Sequence, residues 1–217
     1  ILEAGIADRA QGHAGSLGDT PRGFFSVQPA LFHPQPQVLT VSGQREKILT
    51  AYMNLLVDSG VRGTTLEAVG TTCKLSKAGV LHHFASKQAL GEALLTELQA
   101  QARVDADNML ADLDNAVSYY VVSSQDRDSL LERLVEAVYR LAQTGDKDAL
   151  DVLRQCREGW YDALVRAIGD PAVARLVLFV GDGMNHNALL SVSAGSEKFI
   201  NAETNAEIMG AIEQLRA

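Results

Sequence analysis

The chain has 217 residues, a net charge of −8, 47% apolar residues and few aromatics. That length is ample for a sizeable core, and the abundance of Ala and Leu favours helix over strand. No run is long and apolar enough to span a membrane, no basic segment leads an apolar one as in a secretory signal, and the acidic total argues against a surface that meets nucleic acid all over.

Residues 1–43 are rich in Gly, Pro, Gln and Ser without a sustained period, which is the composition of a disordered leader. Only Arg9 and Arg22 would give that segment a hold on phosphate. A helical period begins after Ser42, with Ile48, Leu49, Tyr52, Leu55 and Leu56 on one face and Gly60 as its stop. Thr64-x-x-Glu67 reads as a capping box for a helix of about two turns that buries Leu66, Val69 and Cys73. Lys74 and Leu75 make a turn, and Ser76 caps a second short helix held by Val80, Leu81 and Phe84. Ser86 caps a long helix with Leu90, Leu94 and Leu98 on one face, running to about Asp112.

The apolar spacing predicts further helices over Leu130–Leu141 and Ala149–Ile168. Asp170 followed by Pro171 is an N-cap with proline at the first helical position. The helix it opens is apolar nearly all round at first, so it is expected to be buried twice, once in its own fold and once elsewhere. Thr204-x-x-Glu207 caps a last helix carrying Ile208, Met209, Ile212 and Leu215. Nothing alternates with period two, so the expected fold class is all-α.

Charge is distributed unevenly. Residues 44–90 hold six Lys/Arg against three acids, and residues 91–217 hold 21 acids against 11 bases. A basic head on an acidic body fits a chain of which only the head meets phosphate. The paired short helices supply the chemistry for it. In a helix-turn-helix the second helix enters the major groove while the first directs its N-terminal end at phosphate. Thr64 and Thr65 stand at that end, Ser76, Lys77, Ala78 and Gly79 would face base edges, and His82, His83, Lys87 and Arg45 lie in reach of phosphate.

Cys73 and Cys156 fall at apolar positions with no zinc spacing, so free thiols in a reducing cytoplasm are expected. No GxSxG, HExxH, P-loop or GxGxxG motif occurs, and no enzyme activity or cofactor is expected. Asp182 and His186 share a helical face, but a pair is too few ligands for a metal.

The segment TTLEAVGTTCKLSKAGVLHHFASKQAL, within Gln44–Leu98, resembles the N-terminal domain of the TetR family of bacterial transcriptional regulators. DPAVARLVLFVGDGM looks like the dimer-forming helix of one subgroup. The resemblance implies a three-helix DNA-binding head over 44–90 and a helical effector-binding and dimerisation body over 91–217. It implies a homodimer through the last two helices, bound to a palindromic double-stranded operator and released by a small apolar or aromatic effector. Candidate effector contacts are Met109, Leu113, Tyr119, Tyr120, Trp160, Tyr161, Met184, Asn185 and His186. The sequence departs from the family in having Lys74 where a turn glycine is usual, Gly70 where Ala is common, and Leu81-His82 where a Tyr usually precedes the His-Phe pair. The alternative is a helical adaptor or small-molecule-binding protein without operator recognition.

Overall fold

The computed structural model describes residues 43–190 and 199–216; the expected leader lies outside them, apart from Gly43. Among the described residues the chain is all-helical. The helices are α1 (Gln44–Gly63), α2 (Leu66–Cys73), α3 (Lys77–His83), α4 (Lys87–Ala111), α5 (Ala116–Ser123), α6 (Leu130–Ala142), α7 (Lys147–Ile168), α8 (Pro171–Leu190) and α9 (Ala202–Arg216). No described helix is long and apolar enough to cross a membrane.

Hydroxyl and carboxylate caps start most of them. Thr65, Ser76, Ser86, Ser129 and Asp146 each accept a bond from the backbone N–H three residues on, opening α2, α3, α4, α6 and α7. Two expected caps are displaced. Thr65 rather than Thr64 caps α2, because Thr64 is 0% exposed and donates its hydroxyl to the Gly60 carbonyl. Asn201 rather than Thr204 starts α9, its side chain accepting from the Thr204 N–H. Gly60 breaks α1 without ending it: it takes φ 67° and ψ 177°, and one further turn runs on to Gly63. Helix α5 is additional to the helices that the apolar spacing predicts, its eight residues being too few to show a period.

Two apolar cores result. The first joins Ile48, Tyr52 and Leu56 of α1, Val69, Val80 and Phe84 to Leu90, Leu94 and Leu98 of α4, and to the facing residues of α6 and of the start of α7. The second gathers Met109, Val117, Tyr120 and Val121 with Leu164, Val177, Met184 and Ile212. Trp160 packs against both. The first core therefore does not stop at residue 90, and α1 is also tied to α6 by the Arg133 guanidinium, which donates to the Asn54 side-chain carbonyl at 2.8 and 3.1 Å. In the second core Gly181 allows α8 to meet α5 closely, since a Cβ there would stand 2.4 Å from the Tyr120 ring.

The turn between α2 and α3 closes by two backbone bonds, Leu75 N–H to the Gly70 carbonyl at 2.8 Å and Lys74 N–H to the Thr71 carbonyl at 3.2 Å. This is the helix stop that places one residue in the left-handed region. Lys74 occupies it with φ 57° and ψ 39°, as its place in the sequence suggested. The same turn carries the Leu75 carbonyl over Gly70, where a Cβ would lie 2.7 Å from the carbonyl oxygen. Glycine at 70 therefore does more than loosen α2, because this turn has no room for Ala there. Lys74→Gly is expected to raise stability by about 1 kcal/mol by relieving the left-handed residue. Gly70→Ala is expected to lower it by about 1–3 kcal/mol, the usual cost of overpacking. Urea unfolding of the two variants checks both signs.

Candidate nucleic-acid interface and effector core

The α2–turn–α3 unit brings most of the expected head residues to one surface. Ser76, Lys77, Ala78 and His82 are exposed, and Gly79 and His83 are half-buried. Ser76 spends its lone pair on the Gly79 N–H at 3.1 Å, leaving its own proton free to donate. The Lys77 ammonium reaches back to the Glu67 carboxylate at 2.8 Å and holds that carboxyl below its usual range. The His82 and His83 rings meet edge to face with centroids 5.3 Å apart.

Three expected contacts serve the fold instead of, or as well as, any ligand. Thr64 is withdrawn from solvent, which corrects the expectation that both threonine hydroxyls face outward; Thr65 remains exposed. Arg45 donates to the His83 carbonyl and lies over the Phe84 ring at 4.1 Å, so it caps the C-terminal end of α3 and clamps it to α1. The Lys87 ammonium donates to the Val61 carbonyl at 3.0 Å, binding the start of α4 to the end of α1, and burial lowers its pKa. Both are positioning contacts that a count of basic residues does not distinguish from free cations.

The body gathers some of the expected effector residues and not others. Met109, Tyr120 and Met184 are buried together, with Tyr119, Trp160 and Tyr161 packed against them. Leu113 and His186 stay outside, because Leu113 lies beyond the end of α4 and His186 on the outer side of α8, both exposed. Asn185 is half-buried and donates to the Ser124 carbonyl at 3.1 Å and to the Glu132 carboxyl. Asp182 pairs with Arg157, not with His186. Among the described residues no three His, Cys, Asp or Glu side chains are grouped to hold a metal. Cys156 is buried and Cys73 half-buried, both as free thiols.

A polar layer lines this core. Asp105 is 3% exposed and accepts the Tyr119 hydroxyl at 2.5 Å. Burial pushes its carboxyl up, and the Tyr119 hydroxyl and nearby Trp160 indole pull it part-way back, although that indole N–H is buried without a well-formed hydrogen bond. Burial and the Asp105 charge push Glu132 up to about 8, against the opposing effects of Asn185 and Arg127. The available signal was a charged residue on an apolar stripe, since Asp105 falls in line with Leu94, Leu98 and Met109.

A carboxyl raised in the fold binds a proton that the unfolded chain has released. Stability should therefore be fully present below the unfolded value of 4.5 and fall as pH rises through about 8. Chemical denaturation across that window should show the decline, and Glu132→Gln should flatten it by up to about one proton.

The comparisons with known proteins agree with this geometry. Residues 48–94 match the family model of the bacterial regulatory proteins of the tetR family. No curated protein matches the chain in sequence. Among solved structures, a protein from Rhodococcus sp. described as a TetR-family transcriptional regulator is similar at 18% identity and a TM-score of 0.57, over 81% of this chain and 100% of that one. SCO7518 from Streptomyces coelicolor A3(2), described as a transcriptional regulator, is similar at 21% identity and a TM-score of 0.53, over 78% of this chain and 97% of that one. The multidrug binding protein EbrR, complexed with ethidium, is similar at 20% identity and a TM-score of 0.52, over 78% of this chain and 98% of that one. Such identities speak for the fold alone. Residues 48–94 thus match the N-terminal domain of the tetR family of bacterial regulatory proteins, and the fold of the chain is similar to those of the solved regulators.

Proposed function

We propose that the chain is a cytoplasmic repressor that binds a palindromic operator as a homodimer and leaves it when a small apolar or aromatic effector enters the body. The observation that carries this reading is the exposed N-terminal half of α3, where Lys77 and Ala78 stand clear of the core on a helix fixed from both ends by Ser76 and Arg45. In this reading residues 44–90 act as the head and residues 91–217 as the body. Thr65, Ser76, Lys77, Ala78, Gly79, His82 and His83 meet the DNA, and Arg45 and Lys87 add to phosphate attraction from their capping positions.

Dimerisation through α8 and α9 is supported by the outer side of α8. Its inner side is buried in the second core, yet Leu176 and Phe179 are 50% and 54% exposed, with Ala172 and Gly183 exposed in the same heptad register. A second copy packed there would cover that stripe and could set the two α3 helices roughly 34 Å apart, one turn of DNA. The effector region is the core of Met109, Tyr119, Tyr120, Trp160 and Met184, with Asp105 and Glu132 as polar partners. That EbrR holds ethidium on a similar fold supports starting an effector screen with planar aromatic compounds. Effector binding must favour a state in which the heads are wrongly spaced, and α4 connects the effector region to the head.

Fluorescence anisotropy on DNA from upstream of the chain's own gene and its neighbour's should show selective binding that weakens steeply with salt. Lys77→Ala with His82→Ala should cost about tenfold or more in affinity. Absence of selective binding there and in random DNA libraries would sink the operator reading. An effector that binds without changing operator affinity would sink the release mechanism alone. Phe179→Glu should convert the dimer to a monomer in analytical ultracentrifugation, and a variant that remains dimeric would place the interface elsewhere.

A further inference from the structure

A cleft of about 360 Å³ opens where α1 and α4 meet the turn between α6 and α7. It lies apart from the Met109–Met184 core and shares no residue with the proposed effector region. The Tyr52 ring, Leu95 and Leu141 give it an apolar floor. Glu92, Asp146 and Asp148 stand around it, and among the described residues none of the three has an ion-pair partner. Lys87 lines the same cleft, but its ammonium is donated to the Val61 carbonyl. The cleft thus carries an excess of negative charge over an apolar base.

A second and independent feature points to a ligand. Tyr52 is 1% exposed, lines the cleft, and makes no hydrogen bond to any described residue. The hydroxyl is not fully enclosed, so the little exposure it keeps is toward the cleft it lines, where an occupant can meet it. Burial and the Asp146 charge push its pKa up to about 12, which keeps the hydroxyl protonated and able to accept or donate. The carboxylates are also not grouped closely enough to hold a metal ion. A charge that is spread around an apolar floor suits a bulky cation better than a compact one, because the ligand must satisfy both.

We propose that this cleft is a binding site for a small organic ammonium ion, a protonated amine on a short apolar or aromatic body. The ammonium lies among Glu92, Asp146 and Asp148, the apolar part covers Leu95 and Leu141, and an N–H reaches the Tyr52 hydroxyl. An occupant touches α1 of the head and the first turn of α7 together, so it bears directly on the junction between head and body. The site does not rest on operator binding and is tested without DNA.

The test is calorimetric titration of the full chain with phenethylammonium chloride, with phenethyl alcohol as the neutral isostere and magnesium chloride as the compact cation. Phenethylammonium should bind, and the alcohol should bind about tenfold or more weakly, as expected for loss of one charge contact in a partly open site. The double variant Glu92→Gln with Asp148→Asn changes only exposed side chains, and a matching thermal unfolding curve confirms that it folds. It should lose about tenfold in affinity, and more at low salt than at high. Tyr52→Phe should weaken binding further while keeping the ring in the core. The inference is overturned if phenethylammonium does not bind, if alcohol and ammonium bind alike, if the double variant binds as well as the parent, or if magnesium binds and excludes the amine.

Discussion

Helix α4 contributes a buried stripe to both cores of the fold. Its 25 residues span about 37 Å, and one stripe along it serves two cores in turn. Leu90, Leu94 and Leu98 belong to the first core and Met109 to the second. Where the two meet the buried side of α4 turns polar, with Glu97, Gln101 and Asp105 buried beside Leu98 and Ala102. Buried charge is costly unless it is hydrogen-bonded, and here the Gln101 amide donates to Glu97 and the Tyr119 hydroxyl to Asp105. The arrangement gives α4 two apolar anchorages joined by a segment whose partners are directional. Apolar packing tolerates small slides, whereas a hydrogen-bonded carboxyl does not. A change in what Asp105 and Glu132 touch is therefore the disturbance that α4 is least able to absorb locally, and a close-packed interior passes it on.

The head depends on a different economy of space. The stop of α2 puts Lys74 in the left-handed region and the Leu75 carbonyl against Gly70. Relative to the family pattern, glycine stands at the crossing point and not at the turn. The two departures are coupled by one geometry, since the backbone bond from Leu75 to Gly70 fixes both positions. That bond also sets the angle between α2 and α3, which Arg45 then secures from the far end of α3. The exposed face of α3 is thus defined by backbone closure at one end and a guanidinium clamp at the other, and of the exposed side chains between them Ser76 caps the helix and Lys77 pairs with Glu67.

The long helices and the two-helix head were legible because their apolar periods and caps are strong local signals. Where the reading slipped, the cause was tertiary. Thr64 and Thr65 are equivalent as residue types, and only the Gly60 break, which turns Thr64 inward, decides which of them caps α2. Helix α5 has eight residues and takes its place from Gly181, which lets Tyr120 approach α8. For Arg45 and Lys87 the sequence shows a charge but not the carbonyl that each also meets. The polar layer was visible as Asp105 on an apolar stripe, but its partners Tyr119 and Glu132 lie on other helices, and no spacing in the sequence brings them together.

These internal uses of charge bear on how the head would act. Residues 44–90 carry six basic side chains, yet Arg45 and Lys87 cap helix ends and Lys77 is paired with Glu67. Lys47, Arg62 and Lys74 remain exposed, and among the described residues none of them has an ion-pair partner. Phosphate attraction grows with the number of cations that displace counterions, so one such head on an acidic body has little hold on DNA of arbitrary sequence. Under the proposed function, affinity must then come from two heads acting together and from base-edge contacts by α3. Lys77 has to leave Glu67, or share it, to make such a contact, and the cost is small because both groups are exposed and the pair is screened by solvent. The Glu67 carboxylate left behind repels any phosphate that α3 approaches in the wrong register. A paired lysine therefore serves discrimination better than a free one would: it is available to a guanine placed to replace Glu67, and little drawn to a phosphate that is not.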